Sequence, residues 1–213
     1  MKITIINGSP KNKESVSELL IKLFLNEIGN EHFIKIYNPS KENLDFEKIR
    51  IISESDAILF VFPLYVDSIP SHLLKLLVEI YKKKILSQNT IVYLIINNGF
   101  FEGKQNYIAI EQLKIWCKYV EAKWGQAIGI GAGEMLKFIS NIPLGHGPNK
   151  NLGYAMKSLA KNILDQKSDK DILISPNWPR IMWKIQATFL VWYPCAKKNG
   201  LKLRDIGKKQ KIK

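Results

Sequence analysis

The stretch Asn7-Gly8-Ser9-Pro10-Lys11-Asn12-Lys13-Glu14-Ser15 joins a β-branched run, Ile3-Thr4-Ile5-Ile6, to a segment of helical period. Such a turn presents free backbone N–H groups at a helix N-terminus, where the dipole favours an anion such as phosphate. Ser9, Ser15 and Ser17 can add hydroxyl donors, and Lys11 adds a charge. The loop is not a P-loop, which needs a second Gly followed by Lys and Ser/Thr. It also lacks the three glycines of a dinucleotide fingerprint, so a nucleoside triphosphate is disfavoured. An ordinary strand-to-helix turn with a Ser N-cap would look the same in isolation, and other loops must decide.

Two further loops carry suitable chemistry. Phe62-Pro63-Leu64-Tyr65-Val66-Asp67-Ser68-Ile69-Pro70-Ser71 places an aromatic and apolar residues where a polar turn normally starts a helix. A flat apolar ligand explains that composition. Capping by Asp67 or Ser68, with Pro70 in the first turn, needs no ligand, and Tyr65 packed on its own loop is the plainer alternative. In Asn97-Asn98-Gly99-Phe100-Phe101-Glu102-Gly103 the glycines let backbone approach a ligand and the Asn amides can meet ring heteroatoms, although Asn-Gly also makes ordinary turns. The Gly-rich Gly129-Ile130-Gly131-Ala132-Gly133-Glu134 is no dinucleotide fingerprint, because Glu134 stands at the third Gly position. His32, His72 and His146 are too scattered for a metal site or a triad, and no side chain is assigned a catalytic role.

The elements that must position these loops alternate. Apolar, β-branched runs at 3–6, 33–37, 57–62, 91–96 and 127–130 show little alternation, as in strands buried on both faces. Helix-period stretches fall at 15–28, 71–83 and 104–123, with shorter ones near 45–54 and 151–165. This order predicts an α/β fold: a three-layer α/β/α sandwich around a doubly wound, five-stranded parallel sheet, with a C-terminal helical appendage. Ligands of such sheets bind outside the carboxyl ends of the strands, near the switch point, where the three loops converge. The predicted division is 1–166 for the ligand-binding domain and 167–213 for an extension belonging to the same compact unit.

Composition excludes several classes. The 213 residues are 46% apolar and can bury a core of one domain. The apolar run after Met1 is too short for a secretory or membrane-spanning segment, and Cys117 and Cys195 match no metal or redox spacing; both observations predict a cytoplasmic setting. The formal charge is +13, of which residues 197–213, with eight Lys/Arg and one Asp, carry +7. That tail can touch nucleic acid or anionic lipid, but a solvated, frayed terminus is the plainer account, and specific nucleic-acid binding is not predicted. There is no internal repeat.

Through Asn7-Gly8-Ser9-Pro10-Lys11 with Ser15, Pro63-Leu64-Tyr65-Val66-Asp67-Ser68-Ile69-Pro70, and Asn98-Gly99-Phe100, the chain resembles the flavodoxin-like NAD(P)H-dependent FMN reductases and quinone reductases over residues 1 to 165. The resemblance implies strand order 2-1-3-4-5, FMN as cofactor and NADPH or NADH as co-substrate. The FMN phosphate would lie on Ser9, Lys11, Ser15 and Ser17. Lys11 stands where many relatives have Arg, which keeps the charge but loses the bidentate fork. The flavin ring would lie along Pro63, Leu64, Tyr65 and Val66 on one side and Asn98, Gly99 and Phe100 on the other. Hydride would pass from the nicotinamide to the flavin and on to a quinone, free flavin, nitro compound or similar small acceptor, and the family implies a homodimer. A flavodoxin-type electron carrier is the rival, though the Thr-rich phosphate loop and acidic surface of carriers are missing. A membrane- or partner-binding protein is another.

The segment beyond residue 165 departs from shorter family members. Trp178, Met182, Trp183, Ile185, Phe189 and Trp192 could pack as core, close over the flavin, bury a dimer interface or lie on a membrane surface. Lys184 and Pro194 argue against a transmembrane helix, whereas peripheral membrane contact stays open.

Overall fold

The computed structural model describes residues 1–11, 14–29 and 32–208; Asn12 and Lys13 of the first loop and Lys209 to Lys213 of the tail lie outside the described residues. Strands and helices alternate in chain order: β1 (Lys2–Asn7), α1 (Val16–Ile28), β2 (Phe33–Tyr37), α2 (Phe46–Ser53), β3 (Ala57–Pro63), α3 (Ser71–Lys82), β4 (Ile91–Asn97), α4 (Tyr107–Tyr119), β5 (Lys123–Ile130), α5 (Lys150–Leu164) and β6 (Ile172–Ile174). The sheet is wholly parallel with order β2-β1-β3-β4-β5-β6. Residues group into two units, Met1–Asn177 and Trp178–Lys213.

Side-chain alternation explains why the strands read as continuous apolar runs. Along β3, Ala57, Leu59 and Val61 enter a core layer with α1 and α5. Ile58, Phe60 and Phe62 enter the opposite layer with α3 and α4. Both faces are therefore covered, and period 2 disappears from the hydropathy.

Local signals set the helix ends. Ser15 caps α1 in a full capping box: its hydroxyl accepts from the Glu18 N–H at 3.1 Å, and the Glu18 carboxylate accepts from the Ser15 N–H at 3.2 Å. Asp45 caps α2 by accepting from Lys48 N–H. At α3 the expectation is corrected, since the N-cap is Pro70 with no side-chain bond, and Asp67 and Ser68 are spent in a turn.

The sheet also corrects the strand count from five to six. β6 extends the predicted order at its β5 edge, in a stretch assigned to the appendage. Asp171 anchors it, accepting from Trp124 Nε1 at 3.1 Å and from Ala127 N–H at 2.9 Å, with Lys114 Nζ at 2.6 Å. Gly131 N–H donates to Ile174 O at 2.9 Å. Gly103 is required there, because a Cβ would lie 2.7 Å from Ile174 N and 2.5 Å from Gly129 O.

Candidate functional site

The register aligns Asn7 with Val61, Pro63 with Asn97 and Asn97 with Ile130, so the loops after β1, β3, β4 and β5 leave neighbouring strands at the same, carboxyl, end of the sheet. Hydrogen bonds tie them into a row. Gly8 N–H donates to Val61 O at 2.9 Å, Leu64 N–H to Asn97 O at 2.7 Å, and Gly133 N–H to Asn98 O at 2.7 Å.

In the first loop Ser9, Ser15 and Ser17 are buried and Lys11 is exposed. Ser9 N–H donates to Asn7 Oδ1 at 3.1 Å, Lys11 N–H donates to Ser9 Oγ at 3.3 Å, and Ser40 Oγ donates to Ser9 O at 3.2 Å. Gly8 lets the loop press on its neighbours: a Cβ would lie 2.6 Å from Leu73 Cδ2 and 2.9 Å from Phe62 Cβ. His72 Nε2–H donates to Gly8 O at 3.0 Å. Burial holds the His72 imidazole below its ordinary pKa, with this hydrogen bond opposing.

Ser15 is committed to capping but keeps a hydroxyl proton to donate. Ser17, in the first turn of α1, is different: its Oγ is buried and has no hydrogen-bond partner. A buried hydroxyl without a partner costs free energy, and here it stands at a helix N-terminus. Two acids meet the same loop. Glu18 Oε1 lies 3.4 Å from Lys41 Nζ, and Lys11 Nζ lies 3.4 Å from Glu134 Oε1. Burial pushes the Glu134 carboxyl up, but Lys137 and Lys11 outweigh that and hold it below the usual range. Sequence reasoning missed both acids; the Ser-x-x-Glu spacing from Ser15 to Glu18 was the signal for the first, while the second is 123 residues from its partner.

Pro63, the last residue of β3, and Leu64 in the loop after it are half-buried, and Tyr65 and Val66 are exposed. Tyr65 and Ser68 exchange both backbone hydrogen bonds, at 3.1 and 2.9 Å, closing a two-residue turn with Val66 at φ 47° and Asp67 at φ 55°. Turns with two left-handed residues favour Asn-Gly. A β-branched valine there is a genuine outlier, costing on the order of 1–3 kcal/mol, and it is 96% exposed. The tip is thus a strained apolar residue presented to the outside.

After β4, Asn98 is buried and its amide braces its own loop: Nδ2 donates to Glu102 O at 3.1 Å and Oδ1 accepts from Phe100 N–H at 2.8 Å. These two bonds shape the loop. Gly99 is the open position, with nothing within 4 Å of where a Cβ would stand, and Phe100 is 56% exposed. Ala132, at φ 52°, donates its N–H to Phe100 O, so the Gly-rich loop after β5 packs on the β4 loop. Among the described residues no cluster of three or more His, Cys, Asp or Glu could hold a metal.

No family model matches the chain, and no curated protein matches its sequence. Solved structures do. An NADH:FMN oxidoreductase in apo form aligns at 13% identity with TM-score 0.58, covering 78% of this chain and 90% of that one. A short-chain flavodoxin associated with a bacterial microcompartment aligns at 10% identity with TM-score 0.56, covering 79% and 100%. The FMN-dependent NADH-azoreductase of Bacillus anthracis str. Ames Ancestor, in complex with FMN, aligns at 15% identity with TM-score 0.54, covering 76% and 99%. The fold is therefore flavodoxin-like, in agreement with the resemblance seen in the sequence.

Proposed function

We propose that this chain is a flavin-dependent oxidoreductase that holds FMN at the ends of β1, β3 and β4, takes reducing equivalents from NADH or NADPH and delivers them to a small acceptor such as a quinone, a free flavin or a nitro compound. The observation that carries the reading is the coincidence, on adjoining strand ends, of an α1 N-terminus retaining the buried, unpartnered Ser17 Oγ with the open backbone of Gly99 and the exposed rings of Tyr65 and Phe100.

On those observations the residues fit the group. Ser17, together with Ser9, Ser15 and the free N–H groups of the first turn of α1, would hold the phosphate, with Lys11 supplying charge once it leaves Glu134. Pro63, Leu64, Tyr65, Val66, Gly99 and Phe100 would bound the ring, and Asn98 would keep the β4 loop in the shape that exposes Gly99. Bound FMN supplies the hydride chemistry, while the protein contributes position, exclusion of water and electrostatics. Glu18 opposes a phosphate by like charge at the same helix end. A homodimer and a cytoplasmic setting belong to the same proposal.

The test begins with the absorption spectrum of the purified chain with FMN, before and after anaerobic addition of NADH or NADPH. Bound flavin that bleaches is the expected result. Bound flavin that does not bleach makes the chain a carrier, a reading the flavodoxin neighbour keeps in play, and failure to bind FMN overturns the proposal. Ser9→Ala combined with Lys11→Ala should weaken FMN binding strongly with the fold intact. Glu18→Gln, which preserves the capping box, should tighten binding about twofold to fivefold by removing the opposing charge.

A further inference from the structure

The second unit, Trp178–Lys213, has no core of its own among the described residues. Its helical stretch runs from α6 (Arg180–Ala187) through a π-helical turn (Thr188–Trp192) into α7 (Tyr193–Lys198). Ala196 is the one buried hydrophobic residue described in the unit. Ile181, Ile185 and Phe189 recur at the i, i+4, i+8 spacing of a helix face. Ile181 is 73% exposed, and Phe189, Leu190 and Trp192 are each 61% exposed. An apolar stripe of that extent left in water marks an interaction surface.

Charge indicates what covers it. Residues 178–213 contain ten Lys/Arg and one acidic residue, Asp205, so they hold +9 of the chain's +13. Asp205 is itself paired with Lys208 Nζ at 2.6 Å. A second copy of this unit would bring +9 against +9, which disfavours self-association through it. Nucleic acid would meet the charge but give no return for burying Ile181 and Ile185. An anionic lipid surface satisfies both, with headgroups for the lysines and the acyl boundary for the stripe, and tryptophan suits that interface. No described helix is long and apolar enough to cross a membrane. We infer that residues 178–208 form a peripheral anchor that docks the protein on anionic membranes through Ile181, Ile185, Phe189 and Trp192, with Lys197, Lys198 and Lys202 on the headgroups.

The experiment is co-sedimentation of the full chain with phosphatidylcholine vesicles, with vesicles also containing phosphatidylglycerol, and competition by single-stranded RNA. Binding to the anionic vesicles alone is expected. Lys197→Ser with Lys198→Ser should weaken it about thirtyfold, at the usual worth of two charges near a lipid surface, and Phe189→Ser with Trp192→Ser about tenfold or more. Brominated lipid should quench tryptophan emission, and the Trp192 substitution should reduce that quenching. Far-UV circular dichroism and FMN binding of the variants separate loss of anchoring from loss of fold or of the flavin site. Equal binding to neutral vesicles, no binding to either, or RNA binding without vesicle binding would overturn the inference, as would lipid-free self-association that the Phe189 and Trp192 substitutions abolish.

Discussion

Phe60 and Phe189 are the same side chain in two settings. Phe60, on a central strand, is fully buried and meets Trp116 edge-on with ring centroids 5.8 Å apart. Phe189, in the C-terminal unit, meets Tyr193 edge-on at 5.1 Å and remains mostly exposed. Ala57 to Phe62 and Phe189 to Trp192 are both uninterrupted apolar runs. The first lies between two helical layers, whereas no described residue of the second is buried. Apolar sequence becomes core only where the topology supplies a covering layer on each side, and without one it remains available to a partner surface.

The difference can be tested most severely by truncation. Phe60→Ala should cost about 3–5 kcal/mol, and Phe189→Ala should stay within about 0.5 kcal/mol, by denaturant unfolding. A large cost at Phe189 would mean that the stripe is covered in the folded protein and would erase the contrast.

A second pair sharpens it at the level of hydrogen bonds. Tyr93 Oη reaches Asn162 O at 2.9 Å and Lys167 O at 3.0 Å, and burial first, then Asp165, pushes its pKa up to about 12. Tyr93→Phe should cost about 1–3 kcal/mol by removing the buried donor from Lys167 O, since Asn162 O keeps the Lys167 N–H at 2.9 Å, while Tyr193→Phe should change stability little.

The cysteines report the same contrast kinetically. Burial pushes the Cys117 thiol up to about 12, whereas Cys195 is exposed. A thiol reagent at neutral pH should modify Cys195 readily and Cys117 only on unfolding; comparable rates would show that the body opens far more than its packing implies.

The smallest expected effect belongs to His72. Its folded pKa lies below the ordinary 6.5, so as pH falls through 6.5 the unfolded chain takes up the proton first. The stability associated with neutral His72 is present above that pH and is lost as pH drops towards the lower folded value. His72→Gln should flatten this part of the stability profile, and an unchanged slope would assign the loss to other groups.

Much of the body was legible in sequence because its signals are local. The strand cores, the α1 cap at Ser15 and the serine-bearing first loop each follow from a few adjacent residues. β6 was not legible, since a three-residue strand has no period and exists only because the β5 edge, Asp171 and Gly103 receive it. The α3 cap was misread because Asp67 and Ser68 are good caps that a two-residue turn claimed first. The amide chemistry of Asn98 is visible in sequence, while its two backbone partners, Glu102 O and Phe100 N–H, are set by the fold of its loop.

By itself the sequence determined the alternation of buried strands and amphipathic helices, hence a parallel sheet with loops gathered at the carboxyl ends of its strands, and the concentration of positive charge at the C-terminus. Tertiary structure alone decided which polar groups are already satisfied, that Lys11 meets Glu134, that Ser17 Oγ has no partner, and which of two equally apolar runs is core. Those outcomes depend on what the rest of the chain brings within a few ångströms, and no local pattern of residues encodes that distance.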